Sequence, residues 1–274
     1  MTNLTQRWIT GIIGGGLMIA AVLWNEYSFS ALFLFIAVMS LREFYSWCEK
    51  YQAQPQKILG LASGVIVYVF LTSFHEFFTT NFFLLIIPSV FGVFIMELYT
   101  NSEKPFINIA LTILGVVYIV VPLALVSPIA KGGMHDSAGS YHPLIVIGYL
   151  FIVWANDVGG YFFGKKFGKK KLFKRISPQK TWEGSTGGAL LALLMAIIVA
   201  TNFDDLSFVD WMVVTSIVIV TGTYGDLVES LFKRSIQIKD SGTSLPGHGG
   251  FLDRFDAFFI SAPFVFLYLS LTSR

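Results

Sequence analysis

Residues 208–256 read FVDWMVVTSIVIVTGTYGDLVESLFKRSIQIKDSGTSLPGHGGFLDRFD. The first half is an apolar run of membrane-crossing length, about 17 to 25 residues, with Asp226 and Glu229 near its end. The second half changes character. From Ser230 to Asp256 the chain sets Lys233, Arg234, Lys239, Asp240 and Arg254, two further carboxylates (Asp253 and Asp256) and a glycine-rich turn into one short loop. A greasy helix that delivers acids into a charged loop predicts a membrane bundle with its chemistry at one end.

Gly247, Gly249 and Gly250 beside Pro246 permit positive φ and close ligand approach, so backbone N–H groups can face phosphate oxygens. No Gly-Lys-Ser/Thr follows, so this is not a Walker loop. His248 in this turn reads as a hydrogen-bond partner of its own loop or of a phosphate rather than as a metal ligand. Asp253 and Asp256 stand three residues apart at the start of the last apolar segment and share a helix face. Two hard oxygen ligands suit magnesium, which binds through one or two carboxylates plus substrate phosphates.

Composition extends this reading to the whole chain. With 54% hydrophobic and 13% charged residues and a mean hydropathy of +0.68, the sequence is far from the globular average of about 25% charged. The expected fold class is all-α: a polytopic helical bundle with about nine transmembrane helices, near 8–24, 28–48, 58–74, 82–99, 106–130, 143–163, 184–201, 208–232 and 255–272. Residues 1–140 form an N-terminal set of packing helices, and 141–274 a catalytic region. The first span lacks an Ala-x-Ala cleavage site and reads as a retained helix. One cysteine, Cys48, excludes an intrachain disulfide and reads as a small buried hydrophobe.

Charge sets the orientation. Sixteen of the nineteen Lys and Arg residues fall on one side if the N-terminus is cytoplasmic, whereas Lys131 and Arg274 fall opposite and Arg42 lies within a span. The positive-inside rule then places the N-terminus in and the C-terminus out. Asp204, Asp205 and Asp210 collect outside. Gly11, Gly14, Gly15 and Gly16, and likewise Gly160, Gly164 and Gly168, form small-xxx-small patterns that favour close helix contact within one chain. Contact between copies stays open, and with it a homodimer. Arg42, Glu43 and Glu97 are explained by snorkelling or mutual pairing, although Arg42 can approach a lipid phosphate.

The basic loop 164–180, GKKFGKKKLFKRISPQK, attracts anionic headgroups at roughly 1 kcal/mol per cation and determines topology. Lys180 differs from its neighbours because it sits in Ser177-Pro178-Gln179-Lys180-Thr181-Trp182-Glu183-Gly184, expected to open the seventh helix. A helix N-terminus holding Ser177, Pro178 and Thr181 offers N–H donors to a phosphate or simply a capping turn. At a rise of about 1.5 Å per residue, Asp157 lies roughly 20 Å into its span, and Asp226 about as far into a span running the same way. Asp157, Asp226, Glu229, Asp253 and Asp256 therefore reach one depth. Five carboxylates there repel each other unless a divalent metal and the cations Lys180, Lys233, Lys239 and Arg254 compensate.

The blocks quoted above resemble the signature of phosphatidate cytidylyltransferases, the CDP-diacylglycerol synthases. Ser230, Lys233-Arg234, Lys239-Asp240, Gly242, Leu245-Pro246, His248-Gly249-Gly250, Asp253-Arg254 and Asp256 fall where that pattern expects them. Gly225-Asp226, Glu229 and the block from Ser177 to Gly184 extend the likeness over roughly the C-terminal half. Asn156-Asp157-Val158-Gly159-Gly160-Tyr161 is looser, since a small residue or threonine is more usual than Val158. The resemblance implies condensation of CTP with phosphatidic acid in a bacterial inner membrane, with magnesium and a monovalent cation such as potassium, and no nucleic acid. It implies Asp226, Asp253, Lys239, Asp240 and Arg254 as catalytic residues. Substrate would meet Ser177, Lys180, Thr181, Lys233, Arg234, His248, Gly249 and Gly250. Metal would meet Asp226, Asp253, Asp256, Glu229 and Asp157. Without the resemblance, a secondary transporter for an anionic solute is the rival, and a CTP-dependent enzyme acting on an isoprenoid glycerol phosphate or a polyprenol is the nearer one.

Overall fold

The computed structural model describes residues 3–72, 83–133, 140–238, 242 and 249–272. Among them six helices are long and apolar enough to cross a membrane: α2 (Glu26–Lys50), the rod Pro105–Ile129, α7 (Pro143–Phe167), α8 (Trp182–Asn202), α9 (Phe208–Ser235) and α10 (Leu252–Thr272). The rod is made of α5 (Pro105–Gly115), one π turn (Val116–Val120) and α6 (Val121–Ile129). The other helices are α1 (Asn3–Trp24), α3 (Lys57–Thr72) and α4 (Phe83–Leu98), whose apolar stretches are shorter. The chain is an all-α polytopic membrane protein, and among the described residues each apolar run expected from sequence coincides with a helical segment. By length and apolarity, six of the nine expected crossings have such a helix among the described residues.

The chain divides into two compact units, residues 1–128 with 240–255, and residues 129–239 with 256–274. In the first, Asn25 ends α1 and starts α2, accepting from the Ser28 N–H at 2.8 Å while the Ser28 hydroxyl receives the Asn25 N–H. The reciprocal cap satisfies donors that a helix start leaves orphaned. The buried face of α2 repeats every three to four residues through Phe29, Phe33, Ile36, Ala37, Leu41, Phe44 and Tyr45, the stripe of a core-facing helix. Tyr45 fits because Gly60 and Gly115 stand where any Cβ would meet its ring. Val116 N–H bonds to Ile113 at the π turn, and the Tyr45 hydroxyl donates to the Thr112 carbonyl at 2.8 Å.

A second polar knot closes the same unit. The buried carboxylate of Glu97 accepts from Gln56 Nε2 at 2.6 Å and from Asn108 Nδ2 at 2.7 Å, and Asn108 Oδ1 accepts the Gln54 N–H. Glu97 thus neither snorkels nor pairs with a cation among the described residues. Two neutral amides hold it, and it staples the loop after α2 to α4 and α5. Glu43 also departs from expectation. Instead of pairing with Arg42, its buried carboxylate accepts the Leu252 N–H at 3.1 Å, at the first residue of α10. A carboxylate at a helix start satisfies an orphan donor and complements the dipole.

The second unit is built on glycine-mediated crossings. Along α7 and α8 a Cβ on Gly159 would lie 2.8 Å from the Gly187 carbonyl oxygen, and one on Gly188 2.6 Å from that of Asn156. Gly160 and Gly164 face Gly184 across the same seam, so this small-residue pattern is spent on contact within the chain. Gly148 makes room for the fully buried Trp211 of α9. Tyr149 and Ser261 share a 2.5 Å hydroxyl contact that ties α7 to α10. The Gly14 and Gly16 positions on α1, in contrast, have nothing within 4 Å.

One local expectation is corrected. The block from Ser177 opens a helix only through its second half. β1 (Lys171–Phe173) pairs antiparallel with β2 (Ser177–Thr181), and α8 starts only at Trp182. Pro178 lacks an N–H and biases Ser177 to extended backbone, which explains the strand. Thr181 is the N-cap of α8, its hydroxyl accepting the Gly184 N–H at 3.1 Å. Glu183 secures the base of the hairpin by accepting the Lys169 N–H at 3.0 Å and that of Lys170 at 3.1 Å.

Candidate active site

In the second unit, β2, α7, α9 and α10 contribute to one charged cluster. Lys180, the penultimate residue of β2, forms an ion pair with Asp226 of α9 and reaches the Thr223 carbonyl at 3.5 Å. Ser230, one turn further along α9, donates to the other Asp226 oxygen at 3.3 Å. Asp226 remains 41% exposed at its side chain and Lys180 23%, so the pair is open to a ligand. Asp226 and Asp157 are the two carboxylates whose charges act on Asp256, with Lys180 as the opposing cation.

The crossing of α9 and α10 brings these groups together. A Cβ on Gly225 would overlap the Asp256 carbonyl and lie 3.2 Å from the Ala257 Cα, whereas one on Gly222 would make an ordinary 3.6 Å contact with the Ala257 Cβ. Only glycine at 225 lets the α10 backbone pass this close. Asp226 consequently sits beside Asp256, and Asp256 Oδ1 accepts the Ala257 N–H at 2.7 Å. Among the described residues, carboxylates gathered beside a lysine suit a cation and the phosphates it would carry. Among the described residues no three His, Cys, Asp or Glu side chains are grouped closely enough to enclose a metal by themselves. A magnesium ion fits only the partial-ligand mode, with phosphate oxygens completing its shell.

The remaining sequence candidates divide. Glu229 is 1% exposed and pairs with Lys233 at 3.1 Å one turn further on, so that carboxylate and that lysine compensate each other. Arg234 holds the hairpin loop, Nε donating to the Ile176 carbonyl and Nη1 to that of Ile238, at 3.5 and 3.4 Å. Ser177 lies in β2 and Thr181 is buried at its cap. In the first unit, Gly249 adopts φ +86°, and a Cβ there would stand 3.3 Å from Asp253 Oδ2. Gly250 is not among the positive-φ glycines, and Arg254 is exposed. Lys239, Asp240, Gly247 and His248 lie outside the described residues.

Sequence reading missed two parts of this arrangement and one contact in the first unit. The Thr223 carbonyl receives Lys180 and Glu183 fixes the hairpin that carries Lys180, while in the first unit Glu43 meets the first residue of α10. The first is backbone chemistry with no residue signature. Glu183 was visible only as part of a motif block, and Glu43 was assigned to its chain neighbour.

The chain matches the model of the cytidylyltransferase family over residues 5–272. It is 31% identical over 278 residues to the phosphatidate cytidylyltransferase of Bacillus subtilis strain 168, covering the whole of both chains. It is 41% identical over 136 residues to the enzyme of that name from Haemophilus influenzae, 47% of each chain. With the one from Staphylococcus saprophyticus it shares 37% identity over 175 residues, 62% of this chain and 64% of the relative.

Proposed function

The chain belongs to the cytidylyltransferase family, and from that premise we propose that it condenses CTP with phosphatidate, giving CDP-diacylglycerol and pyrophosphate. The observation that carries the reading is the open Lys180–Asp226 pair beside Asp256 and Asp157 at the Gly225 crossing. A phosphatidate oxygen attacks the α-phosphorus of CTP in line, forming the new P–O bond, and the bond from that phosphorus to the bridging oxygen of the β-phosphate breaks. A phosphomonoester carries a charge of about −1.5 to −2 at pH 7, so the nucleophile is already anionic and needs no strong base.

The residues of this chain bind and orient. Lys180 exchanges its Asp226 partner for a phosphate oxygen and offsets the charge that grows on the departing pyrophosphate. Asp226 and Asp256 are the residues that would hold magnesium. When bound, that ion supplies charge neutralisation for the phosphates. We extend the same proposal to the monovalent cation, tested by adding potassium to the assay. Lys239, His248 and Arg254 are assigned to phosphate contact, and Asp240 to catalysis, on the resemblance alone.

We place the N-terminus and the cluster on the cytoplasmic side of a bacterial inner membrane, from the sixteen cations on that side. Copies would meet through the small-residue pattern of α1 set by Gly11, Gly14 and Gly15. The experiment is turnover by purified protein with CTP, magnesium and a panel of phosphatidate, an isoprenoid glycerol phosphate and a polyprenol. Pyrophosphate appears with phosphatidate. Its appearance only with another lipid would replace the substrate and keep the chemistry.

A further inference from the structure

Within the first unit, a cavity of about 470 Å³ lies between α2 and α3, lined by Val38, Arg42, Tyr45, Ser46, Lys57 and Leu61. Val38, Arg42 and Ser46 recur every four residues on α2, as do Lys57 and Leu61 on α3, so each helix presents one stripe to the groove. The apolar side chains Val38 and Leu61 and the Tyr45 ring accompany two cations and a hydroxyl. Such a lining matches a molecule with a greasy chain and an anionic head.

Arg42 makes the need for an anion specific. It lies in a helix fit to cross the membrane, eight residues before the helix end at Lys50, or about 12 Å along the axis. It is exposed, and it makes no hydrogen bond or ion pair with any described residue. Its neighbour Glu43 is buried and accepts the Leu252 N–H. Lys57 pairs with Glu49 at 2.6 Å, both half exposed, so among the described residues no carboxylate compensates Arg42. A charged side chain within a span costs about 2.5–3.5 kcal/mol on insertion scales unless it finds a partner, and the guanidinium fork matches phosphate oxygens bidentately. The flank of the groove is apolar, with Ile58 84% exposed.

We propose that this groove binds an anionic phospholipid. Its phosphate sits at Arg42, with Ser46 and Lys57 beside it, and one acyl chain runs along Val38 and Leu61. Charge selects the occupant, because a zwitterionic lipid would bring its own cation to the same place. The site uses none of the residues assigned to catalysis, so it stands independently of the proposed reaction.

The test is native mass spectrometry of the full-length protein in detergent, titrated with phosphatidylglycerol or with phosphatidylcholine. Wild type is expected to retain one phosphatidylglycerol, at least tenfold more tightly than phosphatidylcholine. R42A/K57A should lose that preference, and K169A/K170A, in the basic loop, should keep it. R42Q/K57Q repeats the measurement with side chains closer in size, and every variant is first required to melt with wild type. L61W, which blocks the chain path and leaves the cations, should also weaken retention. Equal retention of the two lipids by wild type would overturn the site. So would undiminished retention in both double variants of Arg42 and Lys57, or an equal loss in K169A/K170A.

Discussion

Lys180 and Lys169 are eleven residues apart in one basic stretch, yet the structure gives them different work. Lys180 pairs with Asp226 and reaches Thr223, while Lys169 contributes its backbone N–H to Glu183. Removing a charge-assisted hydrogen bond costs about 1.5–3 kcal/mol, roughly ten- to a hundredfold in rate. K180A should therefore lower turnover by that factor, with K169A near wild type, in a pyrophosphate assay at saturating magnesium. Equal losses in both would mean that general basicity is what counts. A second residue-scale expectation concerns Glu97, whose two amide partners are buried with it. N108A leaves this carboxylate short of a donor and should destabilise the first unit by about 1.5–3 kcal/mol, seen as a lower melting temperature in detergent with the loop after α2 becoming protease-sensitive.

At the scale of elements, the crossing of α9 and α10 can be tested with two neighbouring glycines. A Cβ at 225 overlaps the α10 backbone, whereas one at 222 meets only the Ala257 Cβ at 3.6 Å. G225A should cost about 1–3 kcal/mol through overpacking and cut turnover by separating Asp226 from Asp256. G222A should leave both melting and turnover close to wild type. Losses of the same size in the two would show that the close approach is not what holds the cluster. The helices themselves were legible in the sequence because membrane length and apolarity are strong signals: the span expected at 143–163 is α7, 143–167, and that at 208–232 is α9, 208–235. What stayed hidden depends on which segments pair. Ser177–Thr181 reads as a helix start until its pairing with Lys171–Phe173 is known, and Glu43 reads as the partner of Arg42 until Leu252 appears beside it. The i,i+3 face of Asp253 and Asp256 is a helix property and was available in advance, whereas the company Asp256 keeps with Asp157 and Asp226 is tertiary.

For the whole molecule, the distribution of cations predicts the side on which the site opens. A cysteine placed between Lys165 and Lys174 in a Cys48→Ser background should react with an impermeant thiol reagent only after cells are opened, and labelling of intact cells would reverse the orientation. The most direct measurement of the central claim is pyrophosphate release from CTP and phosphatidate by purified wild type, D226N and D256N, with magnesium and after EDTA. Asparagine keeps the size of each side chain and removes its charge, so the bundle should assemble and melt normally while phosphate and metal binding fail. The account predicts that wild type turns over with magnesium, stops in EDTA and recovers when magnesium is restored, and that both variants release almost no pyrophosphate. Full turnover in both variants, or a wild type indifferent to chelation, would contradict it.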